Sequence, residues 1–222
     1  MSEFSQAPAW TGTLQPNEKL NLVDKILENK IKGPESFASR DDGYLYAGSA
    51  VYHVCSLPCH VIFSGLITGV IVRVDTNTLT ASPVAKIGEF CEEQYEESRC
   101  GRVLGMTFTK TGKLIVCDAV YGLYMIDLDK RTEGNRISES RYDHNVEYTP
   151  LLTPSELVNG SHNLVFNSLV LAPDDVTVYV TVSSTIYPLQ DALWEVASSP
   201  SGRILKFNLE THKTEVLASG IR

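Results

Sequence analysis

Long apolar runs, clustered basic residues and phosphate-binding glycine loops are all missing from this 222-residue chain. Each absence excludes something. Met1 to Pro8 hold no basic segment leading into an apolar one, so the start of the sequence does not read as a secretory signal. Lys and Arg number 19 against 27 Asp and Glu, giving a net charge of −8 and a pI near 5.1. Nucleic acid is thereby removed from the expected partners, since its recognition needs basic residues gathered on one face. Ser183 and Ser184 follow a strand-like run but lack the flanking glycines of a nucleophile elbow. His144, His162 and His212 lie in polar segments and read as solvated side chains rather than bases.

One stretch lacks charge altogether. Between Gly43 and Val72 there is no Asp, Glu, Lys or Arg. Pro58, Gly65 and two histidines interrupt its apolar character well before the roughly 20 residues a spanning helix needs. His53, Cys55, Cys59 and His60 bear ligand atoms, but four donors in eight residues close poorly around zinc, whose structural sites draw ligand pairs from separated segments. The stretch from Val51 to Ile67 therefore reads as an insertion or an extra hairpin.

What is present is repetition. Lys113–Asp118 followed by Gly122–Leu128 alternates apolar and polar residues across a turn, the mark of two half-buried strands. Gly43–Gly48 with Gly69–Asp75, and Val176–Thr181 with Gly202–Asn208, repeat that cassette, and each second strand starts at a glycine. Leu45, Leu114 and Val178 occupy matching positions 69 and 64 residues apart. A unit recurring at this scale predicts an array whose neighbours bury one another's faces. The 43% hydrophobic content is ample for such a core.

Helical spacing is confined to two places. Leu20, Val23, Ile26 and Leu27 predict a helix or extended arm before Gly33-Pro34, and Leu193, Val196 and Ala197 predict an apolar stripe within Leu189–Ser198. The expected organisation is a lead over 1–32, then an all-β region over 33–222. Its blades fall at about 33–90, 101–150 and 163–222.

Several motifs, in order, carry a family resemblance. Gly33-Pro34-Glu35-Ser36-Phe37 and Asp42–Gly48 come first. Cys100-Gly101-Arg102-Val103-Leu104-Gly105 and Val116-Cys117-Asp118-Ala119-Val120-Tyr121-Gly122-Leu123 follow. Phe166-Asn167-Ser168-Leu169, Thr181–Ser184 and Gly202–Phe207 complete the set. Together they resemble the animal branch of the strictosidine synthase-like family, from about Trp10 to Arg222.

The resemblance implies a six-bladed β-propeller, here a partial one of about three four-stranded blades. It also implies arylesterase or lactonase-type hydrolysis of a small aryl ester or lactone. Related propellers hold a divalent cation on the central axis, calcium being the one expected. Glu35 and Asn167 stand at the matching positions as axial ligands; equally, Glu35 could receive hydrogen bonds from a strand end and Asn167 cap a turn. Relatives usually carry aspartate where Ser168 and Val182 stand here. Their catalytic residues and remaining ligands would lie beyond Arg222, so the resemblance reads as the first half of the domain. Little activity is expected of this half alone. The alternative is a non-catalytic propeller, membrane-associated or lumenal, that binds a protein or glycan.

Further residues carry site expectations. Asp118, just past a strand, could face the channel and orient a substrate or water, or could fix the turn that follows through its amides. Cys117 reads as a buried thiol. Cys91 and Cys100 bracket an acidic loop with five glutamates between Glu89 and Glu97 and suit a short-loop disulfide. Asn159-Gly160-Ser161 is a glycosylation sequon. Both features point to a secretory-pathway protein, lumenal or at the cell surface, anchored to membrane through a segment not present in this sequence.

Overall fold

A computed structural model describes residues 26–27, 31–52, 69–89, 97–131, 146–198 and 200–221. The described chain is all-β: three four-stranded antiparallel sheets, each a simple meander in chain order. The first contains β1 (Ile31–Ser39), β2 (Leu45–Tyr52), β3 (Val70–Asp75) and β4 (Thr80–Lys86). The second contains β5 (Val103–Phe108), β6 (Leu114–Asp118), β7 (Gly122–Arg131) and β8 (Val146–Leu152). The third contains β9 (Val165–Leu171), β10 (Thr177–Ser184), β11 (Gly202–Asn208) and β12 (Thr214–Ile221).

Every repeated cassette turns out to be the middle two strands of a sheet. The first strand of each sheet lies against the first strand of the next, β5 on β1 and β9 on β5. Stacking of this kind, with first strands at a hub, is a partial propeller of three blades.

The core sits between blades. Tyr46, Ile71, Val103, Leu114, Val116 and Ile126 fill the space between the first two sheets. Ile115, Leu123, Leu152, Phe166, Leu205 and Phe207 are among those filling the space between the second and third. β6 is buried on both faces over its whole length, which is why its sequence is a continuous apolar run rather than an alternation. Burying one such Leu or Phe side chain contributes about 1.5–3 kcal/mol.

At the hub the spacing tightens, and a side chain at Gly105 would not fit. A Cβ there would stand 3.0 Å from the Ser168 Cα and 3.1 Å from the Leu169 amide. Glycine lets β5 and β9 approach, while Phe207 and Leu152 fill the wider space farther out.

Two helical segments depart from the strand pattern. Short helix α1 (Glu97–Cys100) precedes β5. A 3-10 turn over Leu189–Asp191 leads into α2 (Ala192–Ala197), where a helix was expected. The expected apolar stripe on it is not buried: Leu193 is 85% exposed and Val196 67%, because six residues are too few to reach back to the sheet.

β1 begins at Ile31, so strand pairing starts inside the region read as a lead; Leu20 and Val23 lie outside the described residues. Residues 53–67 of the uncharged insertion, with His53, Cys55, Cys59 and His60, also lie outside them. Val51 and Tyr52 extend β2. Among the described residues no helix is long and apolar enough to cross a membrane.

Candidate functional site

Each sheet is irregular at one place in its first strand. Strand pairing passes over Glu35 in β1, Leu104 in β5 and Asn167 in β9. A bulge breaks the alternation of the pleat and re-aims the extra side chain. The three bulges are 69 and 63 positions apart, in step with the repeat, so the blades present a carboxylate, an isobutyl group and an amide at equivalent places. Aligning the repeats on Leu45, Leu114 and Val178 would have exposed Leu104 as the third member from sequence alone.

Glu35 and Asn167 are both exposed and both engaged by side chains. Arg102, just before β5, donates from Nη2 to the Glu35 Oε1 at 3.1 Å, bridging the first two blades. Asn167 donates from Nδ2 to the Ser183 Oγ on β10 at 2.9 Å. Neither backbone-only role expected for them is observed. Among the described residues no hydrogen bond occupies the Glu35 Oε2 or the Asn167 Oδ1. As hard oxygen donors these two fit a hard divalent cation in type. No group of three or more His, Cys, Asp or Glu suited to a metal is assembled among the described residues. Asn167 also lines an open cleft of about 470 Å³ with Thr181, Ser183, Glu195 and Arg203.

Asp118 does not face a channel. Its side chain is fully buried, and its Oδ1 accepts the amides of Val120 and Tyr121, both at 2.9 Å. The turn-fixing role is the one its geometry supports. Burial raises its pKa, against the lowering effect of the Tyr121, Val120 and Arg102 amides and of the Lys86 charge.

Lys86 is the second buried charge here. Its Nζ donates to the carbonyls of Ile87 at 3.2 Å and Cys100 at 3.0 Å. Burial pulls its pKa down to about 8, with the Asp118 charge opposing. The Arg102 carbonyl accepts the Ala119 amide at 2.8 Å. Gly101 has φ +72°, and a Cβ on it would stand 2.5 Å from the Ile87 carbonyl. These contacts hold the backbone that carries Arg102. Sequence reading quoted Cys100-Gly101-Arg102 as a motif but gave Arg102 no role.

The remaining expected residues are placed as follows. Cys117 is a free, buried thiol whose pKa burial raises. Cys100 is disulfide-bonded and buried, while Cys91 lies outside the described residues. Asn159 is exposed in a tight turn between Val158 and Ser161, with φ +51°.

Ser184 is buried, donates to the Glu195 Oε2 at 2.6 Å and accepts the Tyr187 amide at 2.8 Å. Its hydroxyl is thus committed to a carboxylate, not an imidazole. His162 is exposed but anchored through Nδ1 to the Pro154 carbonyl at 2.9 Å, and His212 stacks edge-on against Phe207. Neither is simply solvated.

Residues 12–51 match the family described as "Strictosidine synthase-like, N-terminal". The likeness is strictosidine synthase-like. It extends over nearly the whole sequence in curated relatives. A Drosophila melanogaster protein named adipocyte plasma membrane-associated protein Hemomucin is 31% identical over 211 residues, 93% of this chain and 30% of that one. The adipocyte plasma membrane-associated proteins of Gallus gallus and Homo sapiens are 28% and 27% identical, each over 99% of this chain and 45% of the relative. The strictosidine synthase-like chain thus spans less than half the length of the relatives it matches. Among solved structures, the tricorn protease superposes with a TM-score of 0.47 at 9% identity, over 84% of this chain and 18% of that one. That distance bears on nothing beyond the coarse outline.

Proposed function

We propose that this strictosidine synthase-like chain is part of a propeller hydrolase that cleaves a small aryl ester or lactone, with a divalent cation, calcium by preference, at the propeller hub. The observation that carries the reading is the register: bulges at equivalent positions of the first and third blades turn out Glu35 and Asn167, each with an uncommitted oxygen among the described residues. When bound, the cation would supply Lewis acidity toward an ester carbonyl. The chain's own part is to hold the Glu35 carboxylate and the Asn167 amide at the hub, and to offer the cleft beside Asn167 to the substrate. Stiff bulged strands suit that work, because orientation lost at the hub is lost in rate.

The test is turnover of phenyl acetate and of a γ-lactone by the full-length protein, with and without chelator, beside E35Q and N167A. Chelator-sensitive turnover, reduced at least ten-fold in both variants, is expected. Turnover at background level, unchanged by chelator, removes the hydrolase.

A binding role is the second reading, favoured by Leu193, Trp194 and Val196, which stand 85%, 65% and 67% exposed on α2 beside the same cleft. In either case we place the full-length protein in the secretory pathway, associated with membrane. A Cys91–Cys100 disulfide and glycosylation at Asn159 belong to that proposal. The printed names of the relatives support the membrane part of it, and the exposed turn at Asn159 is compatible with a glycan.

A further inference from the structure

The three hub positions are not equivalent in charge. The first blade presents Glu35 and the third Asn167, whereas the bulge of the second carries Leu104, which has no ligand atom. The second blade instead supplies Arg102, two residues earlier, and its guanidinium takes the Glu35 Oε1 at 3.1 Å. We propose that Arg102 is a built-in counter-cation: it holds the Glu35 carboxylate when no divalent ion is bound and competes with that ion for the same oxygen. The proposal rests on the cation reading above and adds what sets the affinity of the site.

Three observations support it. The first is that Arg102 cannot drift as a unit. The Ala119 amide holds its carbonyl, Lys86 holds the carbonyl of Cys100, and Gly101 is packed so closely that no Cβ fits. Release of Glu35 therefore comes from rotation of the Arg102 side chain alone, and that side chain retains 30% exposure, which leaves it room to move. The second is that a guanidinium stays charged at every pH the fold survives, so the competitor is permanent. The third is electrostatic. Glu35 keeps 44% of its side-chain surface, so an arriving cation can reach it, but a divalent ion beside an undisplaced Arg102 would meet like charge. Binding must then include the work of separating an existing ion pair.

The experiment is calorimetric titration of calcium chloride into the purified full chain at low ionic strength, comparing wild type, Arg102→Met, Arg102→Lys and Glu35→Gln. Arg102→Met removes the competitor while keeping much of the apolar stem. It is expected to bind calcium about ten-fold more tightly than wild type, and Glu35→Gln to lose binding. Thermal melts show which variants are folded. Should Arg102→Met fail to fold, Arg102→Lys reports instead: its shorter, single-headed ammonium leaves Glu35 free more of the time, and a tightening of about three-fold is expected. Calcium affinity unchanged in the folded Arg102 variants overturns the counter-cation while leaving the metal reading standing. No calcium heat from any protein, Arg102→Met included, overturns the metal reading, and the counter-cation falls with it.

Discussion

Arg40, between β1 and β2, grips Asp129 on β7 with both arms of its guanidinium, Nη1 to Oδ2 at 2.8 Å and Nη2 to Oδ1 at 3.0 Å. The same side chain donates from Nε to the Asp42 Oδ2 at 2.6 Å and lies over the rings of Tyr46 and Phe108. Tyr46 donates its hydroxyl to Asp42 and meets Phe108 edge-on, so one arginine ties the first blade to the second. Burial, reinforced by the bond to Asp42, pushes the Tyr46 pKa up to about 12.

Arg40→Met should loosen that tie. Asp129 is largely exposed, which limits the loss to about 1 kcal/mol. Arg40→Lys should lose nearly as much, because an ammonium cannot make the two-armed contact. Chemical denaturation of the three proteins checks this; a lysine variant as stable as wild type would show that charge alone suffices.

Asp118 offers a sharper test. Alanine there strands the buried amides of Val120 and Tyr121 and should cost about 1–3 kcal/mol, whereas asparagine keeps an acceptor for them. The pH dependence has a definite sign. A carboxyl whose folded pKa lies above its unfolded value adds stability at low pH and loses it as pH rises through the folded value. Asp118→Asn, which never ionises, should therefore gain on wild type as pH rises out of the ordinary carboxylate range. Urea melts between pH 4 and pH 8 would read it, and a gap that stays constant across that range contradicts the assignment (~4 to 8 brackets the expected window).

Lys86 should act in the opposite direction on the pH axis. Its folded pKa is about 8 against an ordinary 10.5, so between those values the unfolded chain holds a proton that the fold has released. Stability should rise across that interval in wild type and not in Lys86→Met. Parallel slopes for the two proteins would mean that Lys86 is solvated.

At the hub, Gly105→Val should force β5 and β9 apart, since a Cβ already stands 3.0 Å from backbone. Overpacking of this kind costs about 1–3 kcal/mol. An unfolding midpoint equal to wild type would show that the blades can slide to accommodate it.

Much of the fold was legible before any coordinates. Alternation along Lys113–Asp118 and Gly122–Leu128 depends on the pleat, a local property, so β6 and β7 could be read directly, as could their counterparts in the other blades. The stripe on α2 misled, because helical spacing says which residues share a face but not whether anything covers that face. Asp118 misled in part: a carboxylate at a strand end reads alike whether it meets solvent or its own turn.

The strands, their turns and the repeat that stacks them were set by the sequence alone, since side-chain period and turn chemistry operate over a few neighbouring residues. The tertiary structure decided which charges meet. Glu35 lies 67 residues from Arg102, and Arg40 lies 89 from Asp129; only the stacking of one blade on the next brings either pair together. The hub chemistry is in this sense a product of packing, because no local rule links residues that far apart along the chain.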